Sequence, residues 1–237
     1  MRTILVTGAN RGLGFEFTRQ FVKAGDNVIA TCRYPQDADE LIALAERSTG
    51  TVSLEQLDVT QPQSVSALAI KYKGEPVDIL VNNAGLLGPN PIIENFPRQH
   101  FGTMDYELWA ELLRINTFGP VRMAEAFMTN ISNSHERKIV CLSSSVGSIE
   151  SRRTPAISYP STKAALNKTV SLISDQLKNQ GIICVSICPG HVKTRMGVGG
   201  AELEIEDSVS GMRGVIEGLT LADSGTFIRY NGERVPW

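Results

Sequence analysis

The sequence predicts an α/β fold in which a mainly parallel, seven-stranded sheet is covered by helices on both faces. Strand-like runs alternate with helix-length segments along all 237 residues, and the first run leads directly into a glycine-rich turn. Strands separated by helices pair in parallel through right-handed crossovers. Doubly wound folds fill such a length with one core, and 42% hydrophobic residues suffice to build it. We therefore expect a single domain over residues 1–237.

The elements follow one another regularly from the start of the chain. Runs of β-branched and apolar residues predict strands at 3–7, 27–32, 51–57, 77–82, 138–143, 182–188 and 226–230. Apolar residues at helical spacing predict helices near 13–24, 61–73, 105–130, 158–179 and 206–219. Residues 86–103 contain three prolines and residues 196–206 three glycines. We expect these two segments to form the rim of a site.

Three glycines, Gly8, Gly12 and Gly14, come directly after the first strand and open a helical pattern. A strand, a glycine turn and a helix are the context in which a dinucleotide is bound. Gly8 would form the tight turn, Gly12 would let the backbone approach a pyrophosphate, and Gly14 would allow close helix–strand packing. The spacing is Gly-x-x-x-Gly-x-Gly rather than the usual Gly-x-Gly-x-x-Gly. A purely structural turn is therefore the alternative.

Tyr159 and Lys163 are four residues apart, so on a helix both side chains lie on the same face. A free tyrosine has a pKa near ~10, and a fixed cation lowers it by favouring the phenolate. The pair therefore predicts acid–base chemistry. The spacing alone is common, and a half-buried Tyr beside a solvated Lys is the alternative.

Four further motifs follow in the chain: DILVNNAG at 78–85, RINTFG at 114–119, LSSSVG at 142–147 and PGHVKT at 189–194. Together with the glycine turn and the Tyr159–Lys163 pair, they resemble the short-chain dehydrogenase/reductase family over residues 3–194. Residues 211–237 are similar to the ending of the C-factor and Sniffer-type carbonyl reductases of that family.

The resemblance implies a Rossmann-type doubly wound sheet with strand order 3-2-1-4-5-6-7. It also implies that Tyr159 donates a proton, that Lys163 holds the nicotinamide ribose, and that Asn116 holds a proton-relay water. Asp58 would meet the adenine edge. The residues expected to contact the dinucleotide are Gly8, Asn10, Arg11, Gly12, Leu13, Gly14, Arg33, Asp58, Val59, Asn82, Ala84, Gly85, Tyr159, Lys163, Pro189, Gly190, Val192 and Thr194.

The catalytic serine has to be chosen among neighbours. Many family members carry it thirteen residues before the tyrosine, but that position here is Val146. Aligning on the serine-rich strand end instead selects Ser144, with the two extra residues placed in the loop 150–155. Ser145 is the second candidate. The alternative is that the three consecutive serines form a plain polar exit from the sheet, which we expect for at least one of them.

Charge at the end of the second strand favours NADP(H) as the cofactor. An acidic residue there accepts from the ribose 2′-hydroxyl of NAD, whereas an arginine accommodates a 2′-phosphate. The strand ends in Arg33, and Arg11 in the glycine turn adds a second guanidinium group. A surface arginine without a phosphate partner is the alternative for Arg33.

These residues predict an NADPH-dependent carbonyl reductase that acts on aldehydes, ketones or quinones. A nucleotide-binding signalling or redox-sensing protein with incidental catalysis is the alternative. The resemblance also implies a homodimer, with a homotetramer as the alternative, formed through the helices near 105–130 and 158–179.

Composition restricts the partners. The net charge of -2 is spread without a basic stripe, which argues against nucleic acid, and no apolar run is long enough to span a membrane. We expect a cytoplasmic protein. Four cysteines fall on or beside strands, where we expect them to be reduced and buried, and the three dispersed histidines do not complete a metal site.

Overall fold

The computed structural model describes residues 1–48, 50–151, 154–197 and 199–237. The strands are β1 (Thr3–Thr7), β2 (Asn27–Cys32), β3 (Val52–Gln56), β4 (Ile79–Asn82), β5 (Lys138–Leu142), β6 (Ile183–Cys188) and β7 (Phe227–Arg229). The α-helices are α1 (Gly12–Lys23), α2 (Asp39–Arg47), α3 (Pro62–Lys71), α4 (Ile92–Asn95), α5 (Tyr106–Leu113), α6 (Gly119–Ala126), α7 (Met128–Ser132), α8 (Ser158–Leu177) and α9 (Ile205–Gly218). Within these ranges, no helix has both the length and the apolar character needed to cross a membrane.

The strands form one parallel sheet in the order β3-β2-β1-β4-β5-β6-β7, which confirms the expected topology. β1 pairs with β2 on one side, with Thr7 opposite Thr31, and with β4 on the other, with Val6 opposite Val81. The strand order therefore reverses between β1 and β4. A crevice opens at such a point, outside the carboxyl ends of the strands, and ligands of doubly wound folds bind there.

Two apolar layers hold the helices on the sheet. On one face, α1, α2 and α9 bury Phe17, Leu41 and Met212 against the strands. On the other face, α3, α6 and α8 bury residues that include Met123 and Leu166. Because the sheet is covered on both sides, the five central strands β2, β1, β4, β5 and β6 are buried along nearly their whole length, whereas the edge strand β3 is partly exposed.

The predicted helix at 105–130 is wrong as a single element. The structure divides it into α5, a π-helical turn at Arg114–Phe118, α6 and α7. Pro120 explains the break, because it lacks the N–H group that a continuous α-helix would donate to the carbonyl of Asn116. The sequence also failed to predict α2, a short helix in which only Leu41 is fully buried. The other predicted elements agree to within two residues at each end.

Both predicted rim segments lie beyond strands at the carboxyl edge. Residues 86–103 follow β4 and contain α4 and a 3₁₀ turn at Phe96–Gln99, so this segment is more ordered than a plain loop. The segment 196–206 is closed at its base, where Val192 pairs with Leu203 and Lys193 forms an ion pair with Glu204. Val198 of this segment, and Arg152 and Arg153 of the predicted loop 150–155, lie outside the described residues.

Candidate active site

The glycine turn lies between β1 and α1 at the carboxyl edge. Gly8 has φ +68° and Gly12 has φ +54°, a region that L side chains rarely adopt. A Cβ on Gly14 would lie 2.2 Å from the Gly8 carbonyl oxygen and 2.5 Å from Asn83 Nδ2. Gly14 therefore permits the close helix–strand packing that the sequence predicted. At Gly12 the nearest neighbour of such a Cβ would be Thr194 Cγ2 at 3.9 Å, so this backbone is open to a ligand.

The ends of β1 and β4 are joined by side chains of the DILVNNAG motif. Asn83 Nδ2 donates to the carbonyl oxygens of Thr7 and Gly8 at 2.8 and 3.0 Å, and the Thr7 hydroxyl accepts from the N–H groups of Asn83 and Ala84. Asn82 is buried beneath them, and its Nδ2 donates to the Pro120 carbonyl at 3.4 Å. These bonds hold the two strand ends at the point where the crevice opens.

Arg11 and Arg33 lie at the same carboxyl edge of the sheet. Both side chains are exposed, and within the described ranges neither forms an ion pair with a carboxylate. Arg11 is the residue before α1, and Arg33 follows β2, with its guanidinium group 5.9 Å from the centre of the Tyr34 ring. Two cations without an acidic partner at the end of β2 suit a dianionic phosphate.

Asp58 and Val59 follow β3 at the same edge. One carboxylate oxygen of Asp58 accepts from the N–H and the hydroxyl of Thr60 at 2.9 and 2.7 Å, which fixes its side chain in a turn. Val59 is buried, and its carbonyl accepts from Arg122 at 2.6 Å. Both residues therefore lie at the carboxyl edge of the sheet, beyond β3.

The PGHVKT segment folds over the glycine turn from the β6 side. Gly190 has φ +85°, and a Cβ there would lie 2.9 Å from Leu203 Cδ2. Ser208 of α9 donates to the Pro189 carbonyl at 2.7 Å, and Val192 is buried. Thr194 is thereby held against Gly12, facing the start of α1.

Tyr159 and Ser144 meet at the carboxyl edge. Tyr159 is in the first turn of α8, Ser144 follows β5, and the Ser144 hydroxyl lies close enough to the phenol to affect its pKa. Ser145 instead starts a 3₁₀ turn, and its N–H donates to Cys188 Sγ at 3.2 Å. Of the two candidate serines, the structure therefore brings Ser144 to the tyrosine.

Lys163 lies one turn further along α8 and is 5% exposed. Its Nζ donates to the Leu142 carbonyl at 2.7 Å and lies 5.9 Å from the centre of the Tyr159 ring. Burial lowers the pKa of Lys163 to about 8, although the nearby thiols of Cys141 and Cys188 oppose the shift.

The expectation that Lys163 lowers the pKa of Tyr159 is wrong for this structure. Burial is the largest effect and raises the pKa of the phenol well above its usual value; Cys188 adds to the rise, and the hydrogen bond from Ser144 opposes it. The physical reason is geometric, because the ammonium group lies beside the ring and its hydrogen bond goes to the Leu142 carbonyl. Tyr159 therefore holds its proton firmly.

Asn116 lies in the π-helical turn and is fully buried. Its side chain exchanges two hydrogen bonds of 2.8 Å with the backbone of Leu86 and donates to Thr162 at 3.1 Å. A Cβ on Gly85 would lie 3.3 Å from Asn116 Oδ1 and 3.8 Å from Lys163 Nζ. Asn116, Gly85 and Lys163 therefore converge directly behind the Tyr159–Ser144 pair.

Sequence reasoning missed three residues that contact this group. Cys188 lies beside Tyr159 and Lys163, Trp109 Nε1 donates to Ser161 Oγ at 2.9 Å, and Gln99 contacts the start of α8. Cys188 could have been found from its position at the end of β6, where a strand delivers side chains to the crevice. Trp109 and Gln99 follow no local pattern.

The arrangement fits a bound dinucleotide. An open glycine turn at the start of α1, an unpaired cationic edge beside β2 and a proton donor beside β5 follow one another along one side of the sheet. The residues of the turn would hold the pyrophosphate, and the other end of the ligand would reach Tyr159 and Lys163.

Comparison with known proteins gives a consistent result. The family model for short chain dehydrogenases matches residues 2–202. The C-signal protein of Myxococcus xanthus is 37% identical over 163 residues, which cover 68% of this chain and 93% of that protein. The structure of the NADPH-bound carbonyl reductase from chicken fatty liver is similar over 100% of this chain and 99% of its own, with 31% identity and a TM-score of 0.90. The carbonyl reductase Sniffer of D. melanogaster is similar over 100% of both chains, with 27% identity and a TM-score of 0.91.

Proposed function

Because this chain belongs to the short-chain dehydrogenase family, we propose that it is an NADPH-dependent carbonyl reductase that acts on aldehydes, ketones or quinones. The observation that carries the proposal is that Tyr159 and Ser144 lie close together at the same carboxyl edge of the sheet as the glycine turn. A pair of hydroxyl groups in this position can hold a carbonyl oxygen and protonate it. The similarity to carbonyl reductases supports this choice of reaction.

The residues of the site have separate tasks in this proposal. NADPH, when bound, supplies the hydride that adds to the carbonyl carbon. Tyr159 gives its proton to the carbonyl oxygen, and Ser144 donates a hydrogen bond to the same oxygen. Lys163 holds the nicotinamide ribose, and Asn116 anchors the water through which the phenol regains a proton.

The choice of NADPH rests on Arg11 and Arg33. A 2′-phosphate carries two negative charges near neutral pH, and guanidinium groups bind such an anion through paired hydrogen bonds. Within the described ranges, neither arginine has a carboxylate partner that would compete. Asp58 lies at the end of the neighbouring strand β3, and one of its carboxylate oxygens accepts two hydrogen bonds from Thr60.

A signalling or redox-sensing role is the second candidate, and the similarity to a protein named C-signal favours it. A pure binding protein has no need of a buried lysine, a tyrosine, a serine and an asparagine that converge at one point. We therefore propose that the protein is an enzyme, and any signalling role would be additional to its catalytic activity.

We also propose that the enzyme is a cytosolic homodimer. The cysteines are buried and free, as in proteins of reducing compartments. On the outer face of α8, Leu172 is 48% exposed and Ala165 is half-buried, so this face can pair with its copy about a two-fold axis.

The test of the function is the loss of NADPH absorbance with a panel of aldehydes, ketones and quinones. Tyr159→Phe should lower kcat by roughly 10²-fold or more, the scale of general acid catalysis, and leave NADPH binding intact. Ser144→Ala should also be severely impaired, whereas Ser145→Ala serves as the matched control and should keep its turnover. Full turnover by Tyr159→Phe would sink the assignment.

A further inference from the structure

Gln99 connects the rim segment between β4 and α5 to the start of α8. This residue is 1% exposed. Its Oε1 accepts from the Ser158 hydroxyl at 2.8 Å and from the Tyr159 N–H at 3.1 Å. One amide oxygen from the rim therefore holds both the first residue of α8 and the residue that carries the phenol.

The rest of Gln99 is fixed as well. Its Nε2 donates to the Leu87 carbonyl at 2.8 Å, and its own carbonyl accepts from the Ile157 N–H at 2.8 Å. The two ends of the amide face partners of opposite type, so its orientation is determined by the network. Gly88 leaves room for this arrangement, because a Cβ there would lie 3.1 Å from Nε2.

The start of α8 needs such a partner. The first N–H groups of a helix have no acceptor within the helix, and a polar residue just before the helix usually supplies one. Here that position is Ile157, which has no polar side chain, and Pro160 in the first turn has no N–H. Ser158 is fully buried, so water does not replace the missing acceptor there. Gln99 performs the capping role from another part of the chain.

We propose that Gln99 is a positioning residue that fixes the Tyr159 hydroxyl for proton donation by capping α8 from the rim. The proposal rests on the proposed function, since it concerns the same proton donor. Other links to α8 fall later in the helix: Trp109 bonds to Ser161, and Asn116 bonds to Thr162. Gln99 is the contact through which the rim bonds directly to the backbone of Tyr159.

The first test is Gln99→Ala. The variant leaves the Tyr159 N–H and the Ser158 hydroxyl without their acceptor, so the first turn can shift relative to Ser144. A displacement of about 1 Å in a catalytic group can cost up to ~10²-fold in rate, and we expect kcat to fall by roughly 10- to 100-fold. KM for NADPH should stay within about twofold, because the glycine turn is untouched.

Asn130→Ala is the matched control. Asn130 is an equally buried amide that donates to the carbonyls of Tyr72 and Glu75, before β4 at the opposite edge of the sheet. Its loss should lower stability without changing kcat. Equal effects of the two variants on kcat would assign Gln99 a general structural role and overturn the proposal.

Gln99→Glu gives a variant that can keep the hydrogen bonds of Gln99 at low pH, so that its kcat reports on the position of Tyr159. A neutral carboxyl group keeps every bond, because its carbonyl oxygen accepts from Ser158 and Tyr159 and its hydroxyl donates to Leu87. The ionised form has no proton for the Leu87 carbonyl, and burial raises the pKa of such a group. We expect near-normal kcat below that pKa and a fall in kcat as pH rises through it. A pH profile identical to that of the wild type would contradict the proposal.

Hydrogen exchange of the peptides that cover 154–162 separates this inference from the proposed function. If the wild type reduces no carbonyl, the proposed function fails, while the capping role is still measured. Faster exchange at the start of α8 in Gln99→Ala, but not in Asn130→Ala, supports the cap. Unchanged exchange overturns it, whatever the activity.

Discussion

At the residue scale, the two ionisable side chains of the site have pKa values displaced in opposite directions. Burial raises the pKa of Tyr159 and lowers that of Lys163 to about 8. The phenol is therefore fully protonated at neutral pH, which is the state that carbonyl reduction requires. Because the pKa of Lys163 is about 8, the lysine loses its positive charge as the pH rises through the mildly alkaline range.

Arg33 is the residue that we propose selects NADPH over NAD. Arg33→Asp should weaken NADPH binding selectively, because it puts a negative charge where we propose that the 2′-phosphate binds and offers an acceptor to the ribose hydroxyl of NAD. The ratio of kcat/KM for the two cofactors measures the change, and we expect it to shift toward NAD by at least about tenfold, the effect of ~1.4 kcal/mol. Lys23→Asp at the far end of α1 controls for net charge.

An unchanged ratio in Arg33→Asp would show that the phosphate is bound elsewhere. Arg11 is the next residue to test, since it is exposed at the start of α1.

Single residues differ in how far the sequence reveals them. Tyr159, Lys163 and the glycines belong to short motifs with a fixed spacing. The residues of each motif act together within one turn of the chain, so the sequence is sufficient to identify them. Gln99 belongs to no motif, since its partners are Leu87 and the start of α8, which lies 59 residues from it at Ser158. Only the folded rim brings them together.

At the element scale, the junction of β1, the glycine turn and α1 is determined by backbone contact. Gly14→Ala should lower stability by roughly 1–3 kcal/mol, the cost of overpacking, because the new Cβ would lie 2.2 Å from the Gly8 carbonyl oxygen. It should also weaken NADPH binding, since α1 must move away from the turn. Denaturant midpoints and a binding titration measure both effects.

Gly214→Ala in α9 is the control for this change. Gly214 is exposed, and a Cβ there would have no described neighbour within 4 Å. The substitution should be neutral or stabilising by up to about 1 kcal/mol, because alanine favours a helix over glycine. Equal destabilisation by both variants would mean that the close contact between Gly14 and Gly8 does not determine the stability of the junction between β1 and α1.

Helices were harder to predict than strands. The central strands are buried on both faces and appear as mostly apolar runs, whereas α2 buries only Leu41 and resembles a polar loop in the sequence. The segment 105–130 keeps its helical spacing through α5 and α6, but Pro120 interrupts the hydrogen bonds. The resulting π-helical turn carries Asn116, so the irregularity that periodicity did not reveal is at the site itself.

At the scale of the whole molecule, the alternation of strands and helices predicted parallel pairing, and the family resemblance implied the order of the strands. The structure confirms both. The surface for a second copy was predicted less well. The dimer was expected to form partly through the helix near 105–130, but Leu112, Met123 and Phe127 of that segment are fully buried in the core. Apolar residues on a helix do not by themselves distinguish a core face from an interface, because both faces follow the same spacing.

The outer face of α8 remains available for the proposed dimer. Ala165, Thr169 and Leu172 form a stripe along it, and Leu172 is 48% exposed. Ala165→Glu or Leu172→Glu should dissociate the dimer, because a two-fold axis places each new charge in the interface twice. Light scattering across a dilution series measures the mass. Ile70→Glu on α3, where the side chain is 72% exposed, is the matched control and should remain dimeric. A wild-type protein that is monomeric at every concentration would rule out the dimer.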